Sequence, residues 1–193
     1  MKYAKIVTLA ATLLVVGGGL AACSPDKGTS ESSSASSSEV TNASSSTTEA
    51  VTGASISDKA DVIEKALSAD GNWIVAVTAD VTFDNDLTVA GEFHNKGEDS
   101  EDIYRKLALY AQDDKRVVTD EYTLTAPKVI VESENFNIVH GTVKGDIEVK
   151  ANGFVLDAAK VEGNIVFEKE EYKTSAVLDK EGASVTGEVT VAE

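Results

Sequence analysis

The chain has 193 residues, 42% of them apolar, and a formal charge of −16 at pH 7 from 33 acidic and 17 basic residues. So acidic a surface excludes nucleic acid as a partner, because a phosphate backbone demands clustered Lys and Arg, and the two arginines, Arg105 and Arg116, are not clustered. The single cysteine, Cys23, permits no internal disulfide and no thiolate metal site, so packing alone must hold the fold.

At the N-terminus, Lys2 and Lys5 flank the start of an apolar run, Ile6 to Val16, broken only by Thr8 and Thr12. Gly17, Gly18 and Gly19 end the run, and Leu20-Ala21-Ala22-Cys23 follows. A basic start, an apolar stretch of about 7–15 residues and small residues before a cut describe a secretory signal peptide. The run is shorter than the roughly 20 apolar residues a membrane-spanning helix requires. Leu-Ala-Ala-Cys resembles the lipobox of bacterial lipoproteins. That resemblance implies a signal peptide over residues 1–22, cleavage before Cys23, and an S-diacylglycerol and an N-acyl chain such as palmitate on Cys23. It also implies a lipid-anchored location on the extracytoplasmic face of the cell membrane. Two or more acyl chains hold a protein stably to a bilayer, whereas one does so only marginally. Losing residues 1–22 removes Lys2 and Lys5 and no acid, which moves the charge from −16 to −18. The alternative is a secreted soluble protein cut near Ala22, with Cys23 a free thiol.

Residues 23–54 form a Ser/Thr-rich segment, densest at Ser30 to Ser38 and Thr41 to Thr52. It has too little apolar surface to build a core, so the composition predicts a disordered linker. About 30 residues of such coil span roughly 30 Å r.m.s.. A tether of this kind carries a domain away from the lipid, and its Ser-rich composition points to a Gram-positive cell surface. Ser24, rather than Asp, follows the cysteine; an Asp there would resemble an inner-membrane retention signal.

Residues 55–193 suit one domain. Ala60, Val62, Ile63, Ala66 and Leu67 share one stripe at helical spacing, with Ser57 as candidate N-cap, Asp58 and Asp61 in the first turn and Gly71 as the stop. Strand-forming runs follow at Trp73 to Val77, Val81 to Phe83 and Leu87 to Val89. Lys106 to Ala111 alternates, Asp113 to Arg116 is a polar turn, and Val117 to Thr125 returns, which reads as a hairpin.

Residues 134–191 contain a repeat. One constant shift places Phe136-Asn137-Ile138 on Phe154-Val155-Leu156, Val143 on Val161, Gly145 on Gly163, Asp146 on Asn164, Ile147 on Ile165 and Val149 on Phe167. A third copy, Val185 to Val191, follows. Its glycine, Gly187, lies further from Gly163 than Gly163 lies from Gly145, so an insertion is expected near Glu168 to Thr174. No unit of this size can bury its apolar face alone, whereas stacked units build a continuous core. The fold class expected is mainly β: a short right-handed parallel β-helix with an N-terminal capping helix. An antiparallel β-sandwich, with the Gly-Asp and Gly-Asn pairs as hairpin turns, is the alternative. The glycine-bend repeat over positions 134–191 resembles that of bactofilin-like polymer-forming β-helical proteins. The resemblance implies the architecture and offers self-association as an option, although those proteins are typically cytosolic and carry no leader.

The chain offers little recognisable chemistry. His94 and His140 have no metal-ligand spacing, and no nucleophile elbow, phosphate loop or dinucleotide fingerprint is present. Asp80, Asp84 and Asp86 gather oxygen ligands around Asn85 and are a weak Ca²⁺ candidate, lacking the spacing of a known calcium loop. Glu168, Glu170 and Glu171 read as a solvated loop. Trp73, Tyr104, Tyr110, Tyr122 and Tyr172 are the candidates for a sugar-stacking strip, with packing over the core as the plainer reading. No cofactor is expected and no catalytic residue is assigned. The leading expectation is a lipid-anchored surface protein presenting a rigid β-helix for binding or assembly at the envelope, with a cell-wall or glycan ligand or a second copy as partner. The second is a carbohydrate-active protein, as polysaccharide lyase, hydrolase or glycan-binding module.

Overall fold

The computed structural model describes residues 54–193. The expected lipobox with Cys23, the expected signal peptide over 1–22 and nearly all of the expected linker over 23–54 lie outside the described residues. The described chain is mainly β. In order it forms β1 (Ala54–Ser57), α1 (Ala60–Leu67), β2 (Ile74–Val77), β3 (Val81–Thr82), β4 (Leu87–Val89), β5 (Arg105–Ala108), β6 (Tyr110–Gln112), β7 (Val118–Glu121) and β8 (Thr123–Val131). Then follow β9 (Phe136–Val139), β10 (Thr142–Val149), β11 (Val155–Asp157), β12 (Lys160–Glu162), β13 (Ile165–Phe167), α2 (Glu170–Ser175), β14 (Val177–Lys180), β15 (Ser184–Val185) and β16 (Val189–Val191).

Two parallel sheets carry the fold. One has six strands in the order β1-β2-β5-β9-β11-β14; the other joins β15, β12, β10, β13 and β16 with β8, β3 and β4. After β1 and β2, which pair within the six-stranded sheet, the chain alternates between the two sheets apart from the β6–β7 hairpin, and no barrel closes. Every strand pair in these two sheets is parallel, so the antiparallel sandwich does not hold. The sequence repeat is the register itself: Val143 pairs with Val161, Ile147 with Ile165, Val149 with Phe167 and Ile138 with Leu156. The third copy is in register too, with Val161 opposite Val185 and Phe167 opposite Val191.

Matched positions share a side-chain direction, so the inward residues stack in rows. Val75, Leu107, Ile138 and Leu156 form one row, and Leu87, Val129, Ile147 and Ile165 another, all at most 1% exposed. Phe136 and Phe154 stack at 6.4 Å between ring centroids. Each such Val, Leu, Ile or Phe contributes roughly 1.5–3 kcal/mol by leaving water. Outward residues between them on the eight-stranded sheet are mostly polar, Ile130 and Val166 excepted, and Lys128, Glu148 and Lys150 form a ladder there with contacts of 3.0 and 3.4 Å.

The glycine-acid step of the repeat has two physical roles. Only Gly145 of the three repeat glycines takes a left-handed backbone, at φ +135°. Gly163 and Gly187 are needed for closeness instead, since a Cβ there would run into the carbonyl of the glycine one layer below. The following polar residue ties layers together. Asp146 Oδ1 accepts the Asn164 amide at 2.8 Å, and Asn164 Oδ1 accepts the Glu188 amide at 2.9 Å.

Three local expectations change. The helix begins after Lys59, and Ser57 acts two residues before that cap, its Oγ accepting the Lys59 amide at 3.0 Å. Residues 104–112 divide between two partners. β5 belongs to the parallel six-stranded sheet, and β6 alone forms the antiparallel hairpin with β7. The insertion holding Glu170 and Glu171 is a helix, α2, with both acids in its first turn, where the helix dipole favours them.

Helix α1 buries Ile63, Ala66 and Leu67 against the first strands and covers that end of the ladder. At the other end, β14, β15 and β16 each have one hydrogen-bonded neighbour among the described residues.

Candidate functional site

The three aspartates proposed for Ca²⁺ are not brought together. Asp80 Oδ1 accepts the Thr123 amide at 2.7 Å and so serves the turn into β8. Asp84 and Asp86 line a shallow cleft of about 190 Å³ with Asp61 and Glu64 of α1. Among the described residues no three His, Cys, Asp or Glu side chains have an arrangement that could hold a metal ion.

The histidines also part company. His94 Nδ1 lies 2.7 Å from the Glu101 carbonyl oxygen, and its Nε2 is 3.4 Å from Glu92, closing the loop between β4 and β5. The bond to the Glu101 carbonyl, more than the nearby Glu92 carboxylate, raises its pKa above the ordinary 6.5. A folded value above the unfolded one means that the added stability is full below pH 6.5 and fades as pH rises through the raised value. An NMR titration of His94 is therefore expected to show a midpoint above 6.5, with amide exchange in residues 95–102 accelerating as the ring loses its proton. A midpoint at or below 6.5 would remove the carbonyl bond from the account.

The aromatic residues divide in two. Tyr122 and Tyr172 pack against the core, as the plainer reading expected. Tyr104 and Tyr110 are half-buried; Tyr104 directly precedes β5 of the six-stranded sheet, and Tyr110, on the β6–β7 hairpin, lies against that sheet's outward Lys106. The placement of Tyr104 and Lys106 follows from strand alternation: Arg105 and Leu107 point inward and are at most 1% exposed, so Tyr104 and Lys106 take the opposite face, whereas Ala108, of the same parity, is covered at 5% exposed. Trp73 backs Tyr104 at 6.2 Å between centroids. His140 meets the edge of Tyr110 at 4.7 Å, and Lys106 Nζ sits 5.7 Å from the same ring. His140 Nδ1 is also 3.0 Å from Glu121 of the hairpin. Burial, then the charge of nearby Asp157, raises the pKa of the Tyr104 hydroxyl, which stays protonated at neutral pH.

Sequence reasoning missed Arg105, the largest fully buried side chain. Its five N–H groups are all donated: Nε to Asn72 O, one terminal nitrogen to Ala90 O and Ser133 Oγ, and the other to Ala66 O and Ser68 O. Phe93 covers the guanidinium at 4.1 Å. Burial lowers its pKa to about 10, so it remains charged at neutral pH. Among the described residues no carboxylate pairs with it. The carbonyl dipoles at the C-terminal end of α1 supply the negative partner instead. A signal for it existed in the alternation, since Arg105 shares the inward parity of Leu107 and Leu109.

No family model, curated protein or solved structure matches this chain.

Proposed function

We propose that this chain is a lipid-anchored protein of the bacterial cell surface, in which the Ser/Thr-rich linker carries a short right-handed parallel β-helix clear of the bilayer as a rigid binding surface. The anchor rests on Leu20-Ala21-Ala22-Cys23 and the leader before it. The β-helix reading rests on one observation: apolar rows repeat in register from layer to layer while the chain alternates between two parallel sheets. Such stacking makes a body whose layers support one another along its whole length. Binding is favoured over end-to-end assembly because, at the last layer of the described residues, edge strand β14 carries Asp179 and Lys180 and the segments flanking the edge strands add Glu181, Glu188 and Glu193, and charges at a sheet edge oppose pairing with another copy.

Mass spectrometry of the full chain expressed in a bacterium tests the anchor. The expected product starts at Cys23, carries diacylglycerol and partitions into detergent; Cys23→Ser should lose the lipid mass and that partitioning. A mature chain with an unmodified Cys23, free in the medium, would sink the proposal.

A further inference from the structure

We infer that the outer face of the six-stranded sheet around Tyr104 and Tyr110 binds a neutral sugar chain. The inference rests on the envelope location proposed above, where such chains are met.

Three features of the face carry it. First, the two tyrosine rings are fixed from behind yet half-open in front: Trp73 and the strand hold Tyr104, and His140 and Lys106 hold Tyr110. A pyranose ring presents a flat array of C–H bonds that packs on such a π-face while its hydroxyls stay at the rim. Second, the polar groups around the rings have capacity left. Neither tyrosine hydroxyl has a hydrogen-bond partner among the described residues. Lys106 pairs with no carboxylate there, unlike the lysines of the eight-stranded face. Asn137, the register partner of Lys106, uses its amide nitrogen on Asn135 O at 2.8 Å, leaving its side-chain oxygen to accept. Third, the patch is balanced in charge on a strongly acidic chain. Lys106 and Lys180 stand against Asp157 and Glu121, whereas the whole chain carries −16.

That balance selects the ligand class. A polyanion is repelled by the rest of the surface, and a cation finds denser carboxylates elsewhere. A protein partner needs roughly 800 Å² on each side with an apolar centre. The most exposed apolar residues of this sheet, Ile56 and Val177, lie on its two edge strands, and the half-buried Ile74, Val139 and Val155 on its inner strands are separated by Lys106, Asn137 and Asp157, so no continuous apolar centre forms. A neutral chain with hydroxyls and C–H faces matches what the patch offers.

The test is an array of neutral oligosaccharides with gluco-, manno-, galacto- and N-acetylhexosamine backbones, probed with the full chain in detergent. Affinities are then read from Trp73, the one tryptophan, which touches Tyr104. Tyr110→Ala should weaken binding about tenfold with unfolding unchanged. Tyr104→Phe, which keeps the ring and the fold, should weaken it about threefold. Tyr172→Ala, in α2, should bind as the unaltered chain does. The inference is overturned if no neutral sugar binds, if Tyr110→Ala binds undiminished, or if polygalacturonate or a protein ligand is preferred. Mass spectrometry on the same preparation separates the two readings. A lipidated chain that binds no sugar loses only this inference, and an unlipidated chain that binds sugar loses only the anchor.

Discussion

Arg105→Ala is expected to lower the unfolding free energy by about 3–5 kcal/mol, the range seen when one member of a buried charged network is removed. The substitution does more than delete a charge. It takes a donor from each of the carbonyls of Ala66, Ser68, Asn72 and Ala90, of which Ala66 and Ser68 keep the backbone amides of Asn72 and Gly71, and it opens a void beside Phe93. Four separate segments meet at this guanidinium: the end of α1, the turn before β2, the exit from β4 and, through Ser133, the loop after β8. Ser133 itself passes the network on by donating to Gly91 O at 2.7 Å. Arg105→Lys keeps the charge but has one nitrogen in place of three, so it should recover only part of the loss. Urea unfolding of both variants, with Arg116→Ala on the exposed hairpin turn as the control, measures the difference. A loss under about 1 kcal/mol in Arg105→Ala, the scale of a single ordinary hydrogen bond, would show that the helix is held to the ladder by its apolar stripe alone.

The second large effect is expected at Gly145→Ala, about 2–4 kcal/mol, because two costs coincide there. The backbone sits at φ +135°, outside the range an L-residue adopts readily, and the new methyl would collide with the Ala126 carbonyl in the layer below. Gly182→Ala separates these terms. It has a left-handed φ of +84° but nothing within 4 Å of the added carbon, so only the backbone cost, about 1–2 kcal/mol, applies. Gly163→Ala isolates the other term, a close approach without a left-handed backbone. Thermal unfolding of the three variants should rank Gly145→Ala as the most damaging. Equal losses at positions 145 and 182 would mean that layer spacing is not what the repeat glycine protects.

Arg105 bears on the proposed binding face from the opposite side of the strand. Arg105, the first residue of β5, points inward between Tyr104 and Lys106, so the strand entry that presents the Tyr104 ring is pinned from beneath. Rigidity behind an aromatic contact reduces the ordering cost of binding. The hairpin of β6 and β7, which carries Tyr110 and Glu121, is the less supported side, since it pairs only with itself.

The sequence alone was enough for the mainly β class, for the helix over residues 60–67 and for the register of the last three layers. Its constant shift names the pairs Val143–Val161 and Ile147–Ile165 outright, because the alternation of side chains along a strand ties each residue type to one face. What the tertiary structure decided is where residues distant in the chain converge. The Asp80 carboxylate turned out to serve the Thr123 amide, 43 residues away, and Arg105 found acceptors 15 to 39 residues away. Tyr104 and Tyr110 were legible as aromatic residues, but their shared open face was not, since it depends on which parity of β5 the core claims. Periodicity encodes direction within a strand. Convergence between strands is fixed only when the layers close on one another and the remaining polar groups take the partners that packing leaves within reach.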